Sequence, residues 1–133
     1  MQIEELNKER EGHLKEMKSA GEKLKAMIIR TNGKYNIGDT FRCENIIDDN
    51  EIQVIDAHTI NTSMMPKHCH PISSEYIVVV KGSLEIKTNK KKYILSRGEY
   101  LVLKCGEEHS SKPLTKDTRT ITLLIPPEKA YRR

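Results

Sequence analysis

Tryptophan is absent from the 133 residues and phenylalanine occurs once, which disfavours a large aromatic cage around a substrate. No apolar run approaches the ~20 residues of a membrane-spanning helix; the longest is Tyr76–Val80. A membrane partner is therefore not expected. The opening residues, MQIEELNKER, lack a basic start followed by an apolar stretch, so no secretory leader is read. Cysteine is scarce. Cys43, Cys69 and Cys105 are odd in number and widely spaced, so they make no disulfide framework. Free thiols in a reducing, cytoplasmic setting are the expectation. Neither sign of charge dominates: 23 basic residues stand against 19 acidic ones, for a net charge of +4. That balance does not call for a nucleic-acid partner. With 36% hydrophobic and 32% charged residues, the chain has the makings of one polar domain with one core.

The first thirty residues differ in kind from the rest. Ile3, Leu6, Arg10, His13, Met17, Ala20, Leu24 and Met27 recur at spacings of three and four, with Leu14 beside His13. This is the a/d pattern of a helix. Glu4, Glu5 and Glu9 lead it and Lys23, Lys25 and Arg30 end it, as the helix dipole prefers. Gly33 is read as its stop. The apolar stripe is thin and must pack on the remaining domain or on a second copy of the chain. His13 falls on a core position of that stripe and reads as structural. Residues 1–33 are thus expected to be a helical extension for packing or dimerisation, and 34–133 a β-domain.

From Tyr35 the period changes to short β-favouring runs separated by turn residues such as Asp48-Asp49-Asn50, Lys81-Gly82 and Arg97-Gly98. The runs are Tyr35–Cys43, Glu51–Ile60, Met64–His70, Glu75–Val80, Ser83–Thr88, Lys92–Leu95, Tyr100–Leu103, His109–Lys112 and Thr118–Ile125. Such spacing indicates an all-β sandwich or small barrel. Pro126-Pro127 ends the last strand and leaves a charged tail, Glu128–Arg133. The basic run Lys90-Lys91-Lys92 reads as a solvated hairpin tip.

The histidines carry the chemistry. His68 and His70 are one residue apart, and on a strand that spacing sends both rings to one face. A turn at Pro71–Ser74 leads to Glu75, which opens the next strand and can return beside both rings. His109 follows a second turn, Lys104-Cys105-Gly106. Three imidazoles and a carboxylate converging inside a barrel make a site for a divalent transition metal. Each residue alone has a plainer reading: an exposed HxH pair, a hydrogen-bonded strand histidine, a solvent-facing glutamate.

Taken together, the spacing resembles the cupin family. Its first motif, HxH, three or four residues, Glu, six residues, Gly, reads here as His68-Cys69-His70, Pro71–Ser74, Glu75, Tyr76–Lys81, Gly82. Its second, Gly, five residues, Pro-x-Gly-x-x-His, reads as Gly98, Glu99–Leu103, Lys104-Cys105-Gly106, Glu107-Glu108, His109. Thr62, Lys104 and Pro113 stand where the family often has Gly, Pro and Asn. The likeness extends over about residues 35–125 and implies a double-stranded β-helix, a jelly-roll barrel with the metal near one mouth. It further implies that His68, His70, Glu75 and His109 are the metal ligands, and that the protein is a homodimer.

Four ligands leave two positions of an octahedron for substrate and for water or dioxygen. With no thiolate among them, the ion expected is Fe, Mn, Ni, Co, Cu or Zn in an open site. Cupins with this ligand set include dioxygenases, sugar isomerases and lyases. The resemblance therefore implies a metal-dependent enzyme on a small polar or anionic substrate, or else a non-catalytic module that binds or senses a small ligand. Ile77 and either Met64 or Met65 are expected to line the cavity, with Tyr76, Tyr93 and Tyr100 as aromatic options. His58 reads equally as a neighbour of the site or as a surface residue. Cys69 is expected to point away from the ligands as packing, and Cys105 is the better candidate for reactivity, with a structural role favoured for it as well.

Overall fold

A computed structural model describes residues 3–132 of the chain. Helix α1, Ile3–Ala26, has Glu4 and Glu5 in its first turn and Lys23 and Lys25 in its last. These charges oppose the helix dipole at both ends. Its end falls earlier than the sequence suggests. Asn32 and Gly33 both have positive φ, +51° and +74°, and they form the two-residue turn of a hairpin instead of a helix stop. Strands β1, Ile28–Thr31, and β2, Lys34–Ile37, flank that turn. An Asn-Gly pair suits this geometry because its twist matches that of the strands. The side chains of Leu6, Glu9, His13, Leu14 and Met17 lie outside the described residues, and with them part of the expected stripe. Leu24 is fully buried and joins the barrel core.

Eight further strands follow: β3 Phe41–Asp48, β4 Gln53–Thr59, β5 Ser74–Lys81, β6 Ser83–Thr88, β7 Lys92–Ser96, β8 Tyr100–Leu103, β9 His109–Pro113 and β10 Arg119–Ile125. A single 3-10 turn, Lys129–Tyr131, closes the described chain. The strands form two antiparallel sheets, one of seven strands in the order β1-β2-β3-β4-β10-β5-β8 and one of three, β7-β6-β9. Strand β10 lies between β4 and β5, so the chain's end is wound into its middle. The fold is the jelly-roll barrel of a double-stranded β-helix, preceded by a helix.

Alternation along the strands decides what faces the core. In β5, Glu75, Ile77 and Val79 are buried while Tyr76 and Val80 are exposed. In β10, Thr120, Thr122 and Leu124 point inward. Among the described residues α1 does not cover the outward apolar row of β5, where Tyr76 and Val80 stay exposed. The segment Met64–His70 is also not a ladder strand: it is extended, with one isolated bridge between His68 and His109. Pro66 has no N–H to donate and Pro71 stops the run, so a continuous ladder cannot form there.

Candidate metal centre

Backbone bonds fix the extended segment to its neighbours. Met65 N–H donates to Ser111 O at 2.8 Å, His68 N–H to His109 O at 2.9 Å, and His109 N–H to His68 O at 2.8 Å. His68 and His109 are thus directly opposed across an antiparallel pair, and their ring centroids stand 4.4 Å apart. Gly106, with φ of +78°, turns its N–H onto His70 O at 2.8 Å. A side chain at that angle would be strained. Lys104, where the motif often has Pro, uses the N–H that proline lacks: it donates to Glu107 Oε1 at 3.2 Å. Glu75 arrives from the opposite sheet on β5, between Leu103 of β8 and Leu124 of β10.

All four candidate side chains converge and are buried: His68 and His70 are 3% exposed, His109 2% and Glu75 9%. The three histidines bring ring nitrogens within 4.8 Å of one another, so the triad could hold a metal ion. Backbone carbonyls set two of the rings. His68 Nδ1 lies 2.8 Å from Pro66 O, and His109 Nδ1 lies 3.1 Å from Glu107 O. A carbonyl accepts only, so these nitrogens carry the proton and leave each Nε2 as a lone-pair donor. Glu75 Oε2 is 3.1 Å from His70 Nε2 and 3.2 Å from His109 Nε2. Despite those distances, Glu75 Oε2 and His109 Nε2 have no hydrogen-bond partner. The atoms are close but not aligned, and alignment decides whether a bond exists.

Burial and neighbours push the groups apart in acidity. Burial, reinforced by His109 and His70, lowers His68 to about 3, so its ring is neutral. Burial opposes charge on His70 too, but the carboxylates of Glu75 and Glu128 outweigh it and raise the ring to about 9. Burial likewise opposes charge on Glu75, whose carboxyl is nonetheless held well below its ordinary range by His70 and His109. The two shifts run in opposite directions: the carboxylates favour a proton on His70, and the imidazoles favour an ionised Glu75.

Beside the cluster lies a barrel cavity of about 50 Å³, lined by Ile37, Phe41, Met65, Ile77, Thr122 and Tyr131 among others. That is room for a few water molecules. Met65 lines it and Met64 is exposed. The tyrosine at the cavity is Tyr131, not Tyr76, Tyr93 or Tyr100: Tyr76 and Tyr100 face outward and Tyr93 is half-buried away from it. Tyr131 stacks on Tyr35 with centroids 5.5 Å apart and meets the edge of His70 at 5.6 Å. His58 is a surface residue, 3.5 Å from Asp56. Cys69 is half-buried, Cys105 exposed and Cys43 buried, all three free.

Glu128 is a site residue that the motifs do not contain. It is 4% exposed, and its Oε1 lies 3.5 Å from His70 Nδ1. Both it and Tyr131 sit in what reads as a charged tail; the signal in the sequence is Pro126-Pro127, which turns the chain back across the barrel end.

The cupin-domain family model matches residues 60–125, a span that contains all four candidate residues. No curated protein matches the chain. Among solved structures, KdgF from a Halomonas species superposes with a TM-score of 0.66 at 18% identity, over 72% of this chain and 89% of that one. An RmlC-like cupin from Shewanella frigidimarina gives 0.63 at 14% identity, over 77% and 96%. Another from Desulfovibrio desulfuricans gives 0.59 at 22% identity, over 66% and 84%. At these identities the likeness is one of fold.

Proposed function

The chain is a member of the cupin superfamily, and on that premise we propose that it is a metal-dependent protein whose divalent transition ion is held by His68, His70, His109 and Glu75. One observation carries the reading: Glu75 Oε2 and His109 Nε2 are buried 3.2 Å apart with no hydrogen-bond partner among the described residues. Polar atoms in that condition are costly unless something else satisfies them, and a shared cation would satisfy both. Three imidazoles and a carboxylate are borderline donors, suited to Fe, Mn, Ni, Co, Cu or Zn. Such an ion supplies Lewis-acid chemistry and two further coordination positions.

The cavity narrows the ligand class. Its volume of about 50 Å³ admits a small oxygen-donor group, such as a carboxylate or dioxygen, and not a whole sugar. We therefore favour a cytoplasmic enzyme acting on a small polar or anionic substrate whose reacting end alone reaches the ion. Tyr131, buried and kept protonated by its surroundings, would offer that end a hydrogen-bond donor. The near-complete burial of all four ligands favours a second reading, a non-catalytic module that binds or senses a small ligand. Adding a small bidentate carboxylate to the Co(II)-loaded protein tests the open site. A change in visible absorption is expected as water is displaced; no response at millimolar ligand would mean a closed, structural site.

We further propose that two copies pair through the outer face of β5, β8 and β10. Tyr76, Val80, Tyr100, Val102 and Ile125 are exposed there, and the register sets Tyr76 against Val102 and Leu123, and Val78 against Tyr100 and Ile121. A sheet face meeting water is normally polar. The helix is the weaker candidate for assembly, because Leu24 packs within its own chain.

A further inference from the structure

We propose that Glu128 is a positioning residue of the metal centre: its buried carboxylate accepts the Nδ1–H of His70 and so turns Nε2 of that ring toward the ion. The inference rests on the metal reading above and extends the site beyond the matched region, which ends at residue 125. Its first support is a contrast within the triad. His68 and His109 each set Nδ1 against a backbone carbonyl of their own segment. His70 has no such carbonyl; the group that faces its Nδ1 is Glu128 Oε1, at 3.5 Å. Both atoms are buried and neither has a hydrogen-bond partner. A few tenths of an ångström of approach would satisfy the two together.

The second support is that Glu128 is held for this purpose by its backbone. Its N–H donates to Gln53 Oε1 at 3.2 Å, and Gln53 Nε2 returns a bond to Glu128 O at 3.5 Å. Gln53 is itself fully buried. Ser73 Oγ donates to Pro126 O at 2.5 Å, which ties the turn to the segment between His70 and Glu75. On the outside, the end of α1 and the Pro71-Ile72 turn form a groove with Glu128 and Lys129. A carboxylate placed this deep without a partner is expensive. Its cost is explained if an imidazole N–H is its partner and a metal ion its counter-charge. Carboxylates in this position orient ligating histidines and raise their basicity.

The test compares wild type, Glu128→Gln and Glu128→Ala. Co(II) affinity is measured by chelator competition, and the ring nitrogens of His70 are observed by NMR in the Zn(II)-loaded proteins. Alanine should weaken Co(II) binding about 10–100-fold and remove the protected Nδ1–H signal of His70. Glutamine keeps an acceptor oxygen without the charge, so the Nδ1–H signal should persist while affinity falls severalfold. If both variants bind within twofold of wild type with an unchanged His70 signal, the assignment is wrong. Should the alanine variant not fold, glutamine alone decides: unchanged affinity and an unshifted Nδ1–H overturn the assignment. A wild-type protein that takes up no metal is a different result, seen without any variant, and removes the metal reading and this assignment together.

Discussion

At the scale of single residues, the cluster solves a charge problem. Glu75 is buried as an anion, and His70, held up to about 9 by its carboxylate neighbours against the opposing effect of burial, is the cation that answers it. His68 stays neutral throughout the physiological range. A ligating imidazole must be deprotonated, so a metal ion has to displace the proton of His70, and only that one of these two rings. The sign follows: affinity increases with pH for as long as His70 retains its proton. An ordinary imidazole would have finished near 6.5. Zn(II) competition titrations between pH 6 and 9 should therefore show affinity still rising above pH 7.5. A plateau reached by about pH 7.5, one unit above the ordinary imidazole value, would mean that Glu75 and Glu128 do not raise His70.

Among the residues of the site, those with a motif were legible and those without were not. His68, His70, Glu75 and His109 are readable because ligand chemistry restricts residue type and a hairpin restricts spacing. Glu128 and Tyr131 carry no such constraint: they reach the site through tertiary packing of the turn after β10, which no local pattern encodes. The tyrosines inside the β-region, Tyr76, Tyr93 and Tyr100, were candidates by position in the chain, but strand alternation directs Tyr76 and Tyr100 outward.

At the scale of elements, turns position the site as much as strands do. Gly82 joins β5 to β6 with φ of +76°, and a Cβ there would lie 2.4 Å from Thr118 Oγ1 and 2.8 Å from Thr118 Cα. Thr118 in turn donates to Ser83 O at 3.0 Å. Gly82→Ala should combine backbone strain with a clash against main chain and cost about 2–4 kcal/mol, from the usual range of such effects. Urea denaturation monitored by circular dichroism measures it; a loss under about 0.5 kcal/mol would show that the turn is not tightly set. The same scale explains two misread elements. The sequence carries the helix on to a stop at Gly33, but the Asn32-Gly33 turn takes Ile28–Thr31 into a hairpin. Met64–His70 alternates like a strand, while Pro66 within it and Pro71 after it leave it one bridge.

At the scale of the whole molecule, the outer face of β5, β8 and β10 stays uncovered by the described residues. Tyr100 is 69% exposed at the free edge of the seven-stranded sheet. Specific homodimers bury about 800 Å² per partner with an apolar centre, and the row on β5, β8 and β10 provides such a centre. Light scattering should give twice the chain mass of 15.3 kDa for the intact protein. Tyr100→Glu combined with Val102→Lys should give one chain mass without loss of fold. A monomeric wild type would assign that face to another partner.

The central claim is that Glu75 of one sheet, His109 of the other, and His68 and His70 of the extended segment make one metal site. Co(II) titration of metal-stripped protein, followed by visible absorption, tests it most directly. Wild type should saturate at one ion per chain, and the His68→Ala/His70→Ala double variant should show no stoichiometric uptake while keeping its β-sheet circular dichroism. Full occupancy in the folded double variant would contradict the account.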